Sequence, residues 1–364
     1  MKHCLLLSIL LLLLAHATLG QDKQKLIGEI EFFGYSGIDL DKVRAALPFH
    51  EKENFDGEGY AGKLEQTGIA IKNVTGRYPT GINNVCCDQR GEEIIFIGLS
   101  GKAFPHNPKP SGTIRLPERI LDMYERFLSA LNEGLQKGSF PEDDSKGYSL
   151  ATYPPMRAVQ LEMRAYAVEH GALLRSVLET SSEDQQRIVA AQLLGYARQS
   201  DPQLSSLVKA TQDSNGMVRN NATRALLVLA SSSPKIASRI PAKGFIVLLL
   251  SGTWTDLNKS SGLLDIMTAK RRDAKVLAQL QRKDILERLI EMARWRSHGQ
   301  SAANLLGRVA GINERQLRQL VAEGKVEVII KELKDKLGKS LRLVYLLSQA
   351  RPAFSFKSKS SVLN

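Results

Sequence analysis

Alanine and leucine recur at three- and four-residue spacing through Val218-Arg219-Asn220-Asn221-Ala222-Thr223-Arg224-Ala225-Leu226-Leu227-Val228-Leu229-Ala230, directly after the turn Asp213-Ser214-Asn215-Gly216. A strand cannot use that rhythm, because its side chains return to one face every second residue, whereas a helix does so at i+3 and i+4. Small alanines let neighbouring helices approach closely, and leucines fill the seam between them. The stretch Arg187-Ile188-Val189-Ala190-Ala191-Gln192-Leu193-Leu194-Gly195, 32 residues earlier, carries the same idea. Later, Ala302-Ala303-Asn304-Leu305-Leu306-Gly307 copies the segment from Ala190 to Gly195. Self-similarity at such a period predicts paired helices, each pair burying its apolar face against its neighbours.

Written as D-x-x-x-x-V-R-x-x-A-x-x-A-L, the positions Asp213, Val218, Arg219, Ala222, Ala225 and Leu226 resemble the second helix of a HEAT repeat. The resemblance implies an armadillo-like α-solenoid over 157–350, in five or six helical hairpins. It also implies that Asp213 and Arg219 brace the turn between paired helices, a structural role and not a ligand contact. Amphipathic patterns over Asp284–Arg296, Gln300–Val309, Asn313–Ala322, Val326–Leu337 and Leu341–Ala350 extend the expectation. The apolar run Phe245–Leu250 is read as a buried helix turn.

The N-terminal part has a different texture. Ile27 to Gly34 reads as a strand closing on a glycine turn. Asp39 suits an N-cap for Leu40–Leu47, stopped by Pro48, and a second helix fits Tyr60–Val74 with Leu64, Ile69 and Ile71 inward. Strands at Ile82–Cys87 and Glu93–Leu99 flank the hairpin turn Asp88-Gln89-Arg90-Gly91. This βααββ order, with Ile30-Glu31-Phe32-Phe33-Gly34 and Leu47-Pro48, resembles a POTRA (polypeptide-transport-associated) domain over 24–102. The resemblance implies a small α+β unit that binds other proteins, often by adding a strand to its sheet edge. The segment 103–156 reads as a linker holding one long helix at 117–137, opened by Pro117, followed by a polar connection in which Glu142-Asp143-Asp144 is a solvated loop. The tail 351–364 reads as frayed. The fold expected is thus mostly α, a solenoid preceded by a small α+β domain.

Lys2, the apolar run Leu5–Leu14 and the small-residue stretch Ala15-His16-Ala17-Thr18-Leu19-Gly20 read as a secretory signal peptide over 1–20, cut after Ala17 or Gly20. The run is too short to span a bilayer, and no later segment is long enough. A secreted or periplasmic protein is the expectation. Cys86 and Cys87 alone would remain, so a buried core and not a disulfide framework must hold the fold. Two thiols on opposite faces of one strand is the reading preferred; a vicinal disulfide is the alternative.

Net charge is +12, but it is not evenly spread. Residues 22–115 balance at −1, residues 116–233 at −2 and residues 234–364 at +14. Within that last third, Lys270, Arg271, Arg272, Lys275, Arg294, Arg296, Arg315 and Arg318 are the candidate surface for an anionic partner.

Chemistry is harder to find. His50, His106, His170 and His298 are isolated, and there is no metal-ligand spacing, no G-x-S-x-G and no catalytic constellation. Gly57-Glu58-Gly59-Tyr60-Ala61-Gly62 spells GxGxxG but follows a polar stretch and not a strand, so it reads as loop and N-cap. Asn73, Asn221 and Asn258 head glycosylation sequons. The leading expectation is a non-enzymatic scaffold binding a protein partner, with no cofactor or metal. A basic surface binding acidic lipid, polysaccharide or nucleic acid is the alternative, with export arguing against nucleic acid. A lyase-type enzyme sharing HEAT-like repeats is a third reading, on fold analogy alone.

Overall fold

The computed structural model describes residues 26–55, 59–99, 106–138, 141–269 and 273–349, with side chains described as far as 338. The expected signal peptide, Gly57 and Glu58, Lys270 to Arg272, and the tail lie outside the described residues. The fold is mostly helical with a small sheet region.

Strand β1 (Ile27–Phe33) runs parallel to β3 (Glu93–Gly98), and β2 (Gly81–Cys86) pairs antiparallel to the other side of β3, giving the order β1-β3-β2. Helices α1 (Leu40–Ala46) and α2 (Tyr60–Thr75) connect β1 to β2. Asp39 caps α1 as expected, its Oδ1 accepting from the amides of Asp41 and Lys42. Gly91 supplies the positive φ of the hairpin turn, at 82°. In α2 the inward face is set by Thr67, Gly68 and Ile71, with Leu64 half-buried, whereas Ile69 is exposed. Ile69 stands two residues from Ile71, which on a helix turns it to the opposite side.

Every residue of β3 is buried. Its Ile95 and Ile97 join Phe32, Val43, Phe49 and Ile71 in a core beneath α1 and α2. The alternate residues Ile94 and Phe96, with Phe33 of β1, belong to the larger core of the helical part. The sheet is therefore a middle layer, which explains why β3 reads as a continuous apolar run and not as an alternation.

The helical part begins with α3 (Glu118–Gln136), which follows Pro117 as expected. A two-stranded ribbon, β4 (Glu142–Asp143) and β5 (Leu150–Ala151), occupies the connection read as a polar loop, and Pro154 opens α4 (Pro154–Thr180). Then come α5 (Asp184–Leu194), α6 (Asp201–Ala210), α7 (Gly216–Ser232), the short α8 (Pro234–Ala237), α9 (Ala242–Leu248) and α10 (Trp254–Ala269). The chain continues through α11 (Ala274–Leu280), α12 (Lys283–Ala293), α13 (Gln300–Ala310), α14 (Glu314–Ala322) and α15 (Val326–Gln349). Helices α5, α7, α10, α13 and α15 pack each against the next, while α4, α6, α9, α12 and α14 each pack on a member of that row. Phe245, Ile246 and Leu248 are buried on α9, as the apolar run suggested. The two helices expected on either side of Gly338 are one, because a lone glycine weakens a helix without removing a hydrogen bond as proline would.

Candidate functional site

The repeat positions come first, because they determine which charges remain available. Arg187 is fully enclosed: Nε and Nη2 donate to Asp213 Oδ2 and Oδ1, both at 2.9 Å, and Nη1 donates to the Ser181 carbonyl at 3.0 Å. One step along, Arg219 forks onto Asp256 with Nε and Nη2 at 3.0 Å, while its Nη1 donates to the Asp213 carbonyl at 2.9 Å. Arg308 repeats the arrangement with Asp265 and Glu314. Arg187 and Arg219 thus tie a helix start to the preceding turn and to a carboxylate of a neighbour, whereas Arg308, in the last turn of α13, ties that end to α10 and to the start of α14. Val218, Ala222, Ala225 and Leu226 are buried beside this ladder. Asn221 is buried too, its Nδ2 donating to the Ile188 carbonyl at 3.2 Å, so its sequon is not available to a glycan.

The candidate cations divide into two groups. Lys275 is exposed on α11, and Arg315 and Arg318 are exposed one turn apart on α14, none paired with a described residue. Arg294 pairs with Glu327 at 2.7 Å, both partners exposed. Arg296 is not a free surface charge. Its Nε meets Glu31 at 2.8 Å and its Nη2 meets Glu51 at 2.5 Å, both from the N-terminal unit. Those hydrogen bonds push the guanidinium pKa upward, so it stays charged at any working pH.

Arg296 belongs to a joint between sheet and helices. Glu291 on α12 accepts from the amides of Gly34 at 2.7 Å and Tyr35 at 3.1 Å, and pairs with the buried Arg288 at 3.0 Å. Trp295 Nε1 donates to the Phe32 carbonyl at 3.0 Å. Phe96 stacks on Trp254 with centroids 4.9 Å apart and meets the edge of Trp295 at 4.8 Å. Thr80 Oγ1 adds a bond to the Gly252 carbonyl at 2.9 Å. On the opposite flank, β2 has one strand neighbour among the described residues, and its Asn84 is exposed.

At the end of β2 the two sulfurs of Cys86 and Cys87 are joined as a vicinal disulfide, in place of the two separate thiols preferred from the sequence. Adjacent side chains alternate faces only while the strand remains regular, and β2 ends at Cys86. The Glu93 carboxylate lies within 4.8 Å of both sulfurs, but a disulfide has no thiolate to offer a metal.

A cluster that no sequence motif announced lies between α3, α5, α7 and α10. Arg224 on α7 pairs with Glu142 of β4, and its Nη2 reaches Ser149 Oγ at 3.4 Å. Glu142 Oε1 also accepts from Gln160 Nε2 at 2.9 Å, so this carboxylate is bound into the fold and is not part of a solvated loop. Lys259 on α10 lies beside the pair and makes no hydrogen bond or ion pair with a described residue. Burial, reinforced by the charge of Arg224, pushes its ammonium pKa from 10.5 down to about 8. These groups line one cavity of about 700 Å³ whose other walls are largely apolar.

No protein-family model matches the chain, and no curated protein matches it. Among the described residues no helix is long and apolar enough to cross a membrane.

Proposed function

We propose that the chain is an exported scaffold that holds a protein partner in the cell envelope or outside the cell. It combines a POTRA-like unit over 24–102 with a HEAT-like solenoid over 157–350. The observation that carries this reading is the joint made by Glu291, Trp295 and Arg296, which presents the β2 edge and the helical row in one geometry. A platform already held loses little freedom when a partner docks. A sheet edge with a single neighbour accepts an extended segment by strand addition.

Crosslinking capture from the native host, with the purified chain as bait, tests the reading. Asn84→Lys places a charge on the edge, which deters strand pairing while leaving the exposed side chain free of packing conflicts. A discrete protein captured by the wild type and lost with this variant, at unchanged circular dichroism, is the expected result. Equal capture by both removes β2 as the docking edge. Truncating 234–364 is a poor control, because it deletes Trp254, Glu291 and Trp295 from the joint.

The exposed, unpaired Lys275, Arg315 and Arg318 favour a second reading, attachment to an acidic polymer or lipid surface. Retention on an anionic matrix should then fall steeply with salt and weaken in Arg315→Glu/Arg318→Glu. Retention indifferent to both removes this reading.

A further inference from the structure

The cavity between α3, α5, α7 and α10 has the composition of a ligand site. Its volume of about 700 Å³ falls in the range of small-molecule pockets, roughly 300–1,000 Å³. Phe127, Leu128, Leu131 and Leu135 of α3, with Met156 and Ile188, supply apolar walls. Arg224 and Lys259 enter the same cavity, accompanied by the amides of Gln192 and Asn221.

Two carboxylates also line the cavity, Glu142 and the exposed Glu125 of α3, but they do not form ion pairs with both cations. Arg224 is matched by Glu142. Lys259 has no ion-pair partner among the described residues, and it contributes no hydrogen bond that would explain it as a structural brace. A half-buried ammonium without a counter-charge is costly to the fold. Among the described residues, the buried arginines of the helical part are paired: Arg187 with Asp213, Arg219 with Asp256, Arg288 with Glu291 and Arg308 with Asp265. Lys259 has no such partner, and it faces a cavity. We propose that this cavity binds an apolar monocarboxylate, its head between Lys259 and Arg224 and its body along α3. One negative charge gives Lys259 the partner it lacks, the amides offer further donors, and the walls cover a hydrocarbon or aromatic body.

The pH dependence separates this site from greasy, unspecific uptake. The titratable groups around Lys259 and its cavity are Arg224 from α7, Glu142 from β4, Tyr124 and Glu125 from α3 and His298 ahead of α13, with Tyr196 beside Arg224, and burial pushes the Tyr124 phenol up. Burial holds His298 below 6.5, and burial pushes the Tyr196 phenol up to about 12. Arg224 is pushed further up. Between about pH 7 and 9 Lys259 is therefore the group that changes charge.

Titration calorimetry of the purified chain with dodecanoate below its micelle concentration, with dodecanol as the uncharged match and 2-naphthoate as an aromatic carboxylate, provides the test. The expected result is saturable binding of at least one carboxylate, with dodecanol at least about tenfold weaker. Linkage to the Lys259 proton then raises the carboxylate dissociation constant about tenfold between pH 7 and 9. Lys259→Met should remove both the preference for the carboxylate and its pH dependence. Which of the two carboxylates binds distinguishes an acyl from an aromatic source. Equal binding of dodecanoate and dodecanol by the wild type, or no binding of either carboxylate, overturns the proposal, and so does a pH dependence that survives Lys259→Met.

Discussion

Asp213 takes both Nε and Nη2 of Arg187, a guanidinium with no exposed surface, so this carboxylate is its main counter-charge, with the half-exposed Asp184 a second one 3.1 Å from Nη2. Asp213→Ala leaves that cation buried and half-bonded, and unfolding in urea should show a loss of about 3–5 kcal/mol. A loss under about 1 kcal/mol would mean that water reaches Arg187 and that the ladder is ornamental. Lys259 works in the opposite direction. Its folded pKa of about 8 lies below the ordinary 10.5, so between those values the unfolded chain holds a proton that the folded chain has released. Stability therefore rises with pH across that window, and the cost is complete below about 8, where both states are charged. Lys259→Met should raise the urea midpoint at pH 7, and its advantage over the wild type should shrink as pH approaches 10.5. An advantage that does not change with pH would contradict the depressed pKa. Neither role is visible locally: Asp213 stood out by its place in a pattern, whereas Lys259 stood in no pattern at all.

The elements follow from short-range chemistry wherever caps and breakers are strong. Asp39 starts α1, Pro117 precedes α3, and Asn215 caps α7 through its side chain on the amides of Met217 and Val218. Where signals were weak, tertiary contacts decided. Glu142 and Asp143 have no strand propensity, yet they pair with Leu150 and Ala151, and Gln160 and Arg224 bind Glu142 from two helices. The amphipathic patterns over Val326–Leu337 and Leu341–Ala350 read as two segments, but α15 runs through Gly338 between them. Gly338 is exposed, and nothing lies within 4 Å of where a Cβ would stand. Gly338→Ala should accordingly raise helicity by circular dichroism and stabilise by about 0.5–1 kcal/mol. A destabilised variant would indicate that the helix needs the glycine to turn.

At the scale of the molecule, three layers share two cores with the sheet between them, so the βααββ unit is not independent of the helical row. Trp295 is the clearest link, burying its ring against Phe33 and Phe96 and donating to the Phe32 carbonyl. Trp295→Ala removes the ring and leaves the carbonyl without its donor, at about 3–5 kcal/mol. Amide exchange in β1 and β3 should then accelerate ahead of that in α5 and α7, splitting a single thermal transition into two. An unchanged single transition would show that the remaining contacts suffice to couple the layers.

Repeat spacing, caps and turn glycines declare helices and strands because each depends on residues one or two turns apart. Hence Val218 to Ala230 could be read as a helix packed on its neighbours, and Ile27 to Phe33 as a strand. The fate of a charge depends on contacts with no sequence period. Arg296 looked like a surface cation until Glu31, 265 residues away, closed on it. Lys259 looked unremarkable until α3 and α7 enclosed it beside Arg224. Such pairings arise when the chain folds back on itself, and desolvation then decides which cations are braces, which stay in water and which face a cavity.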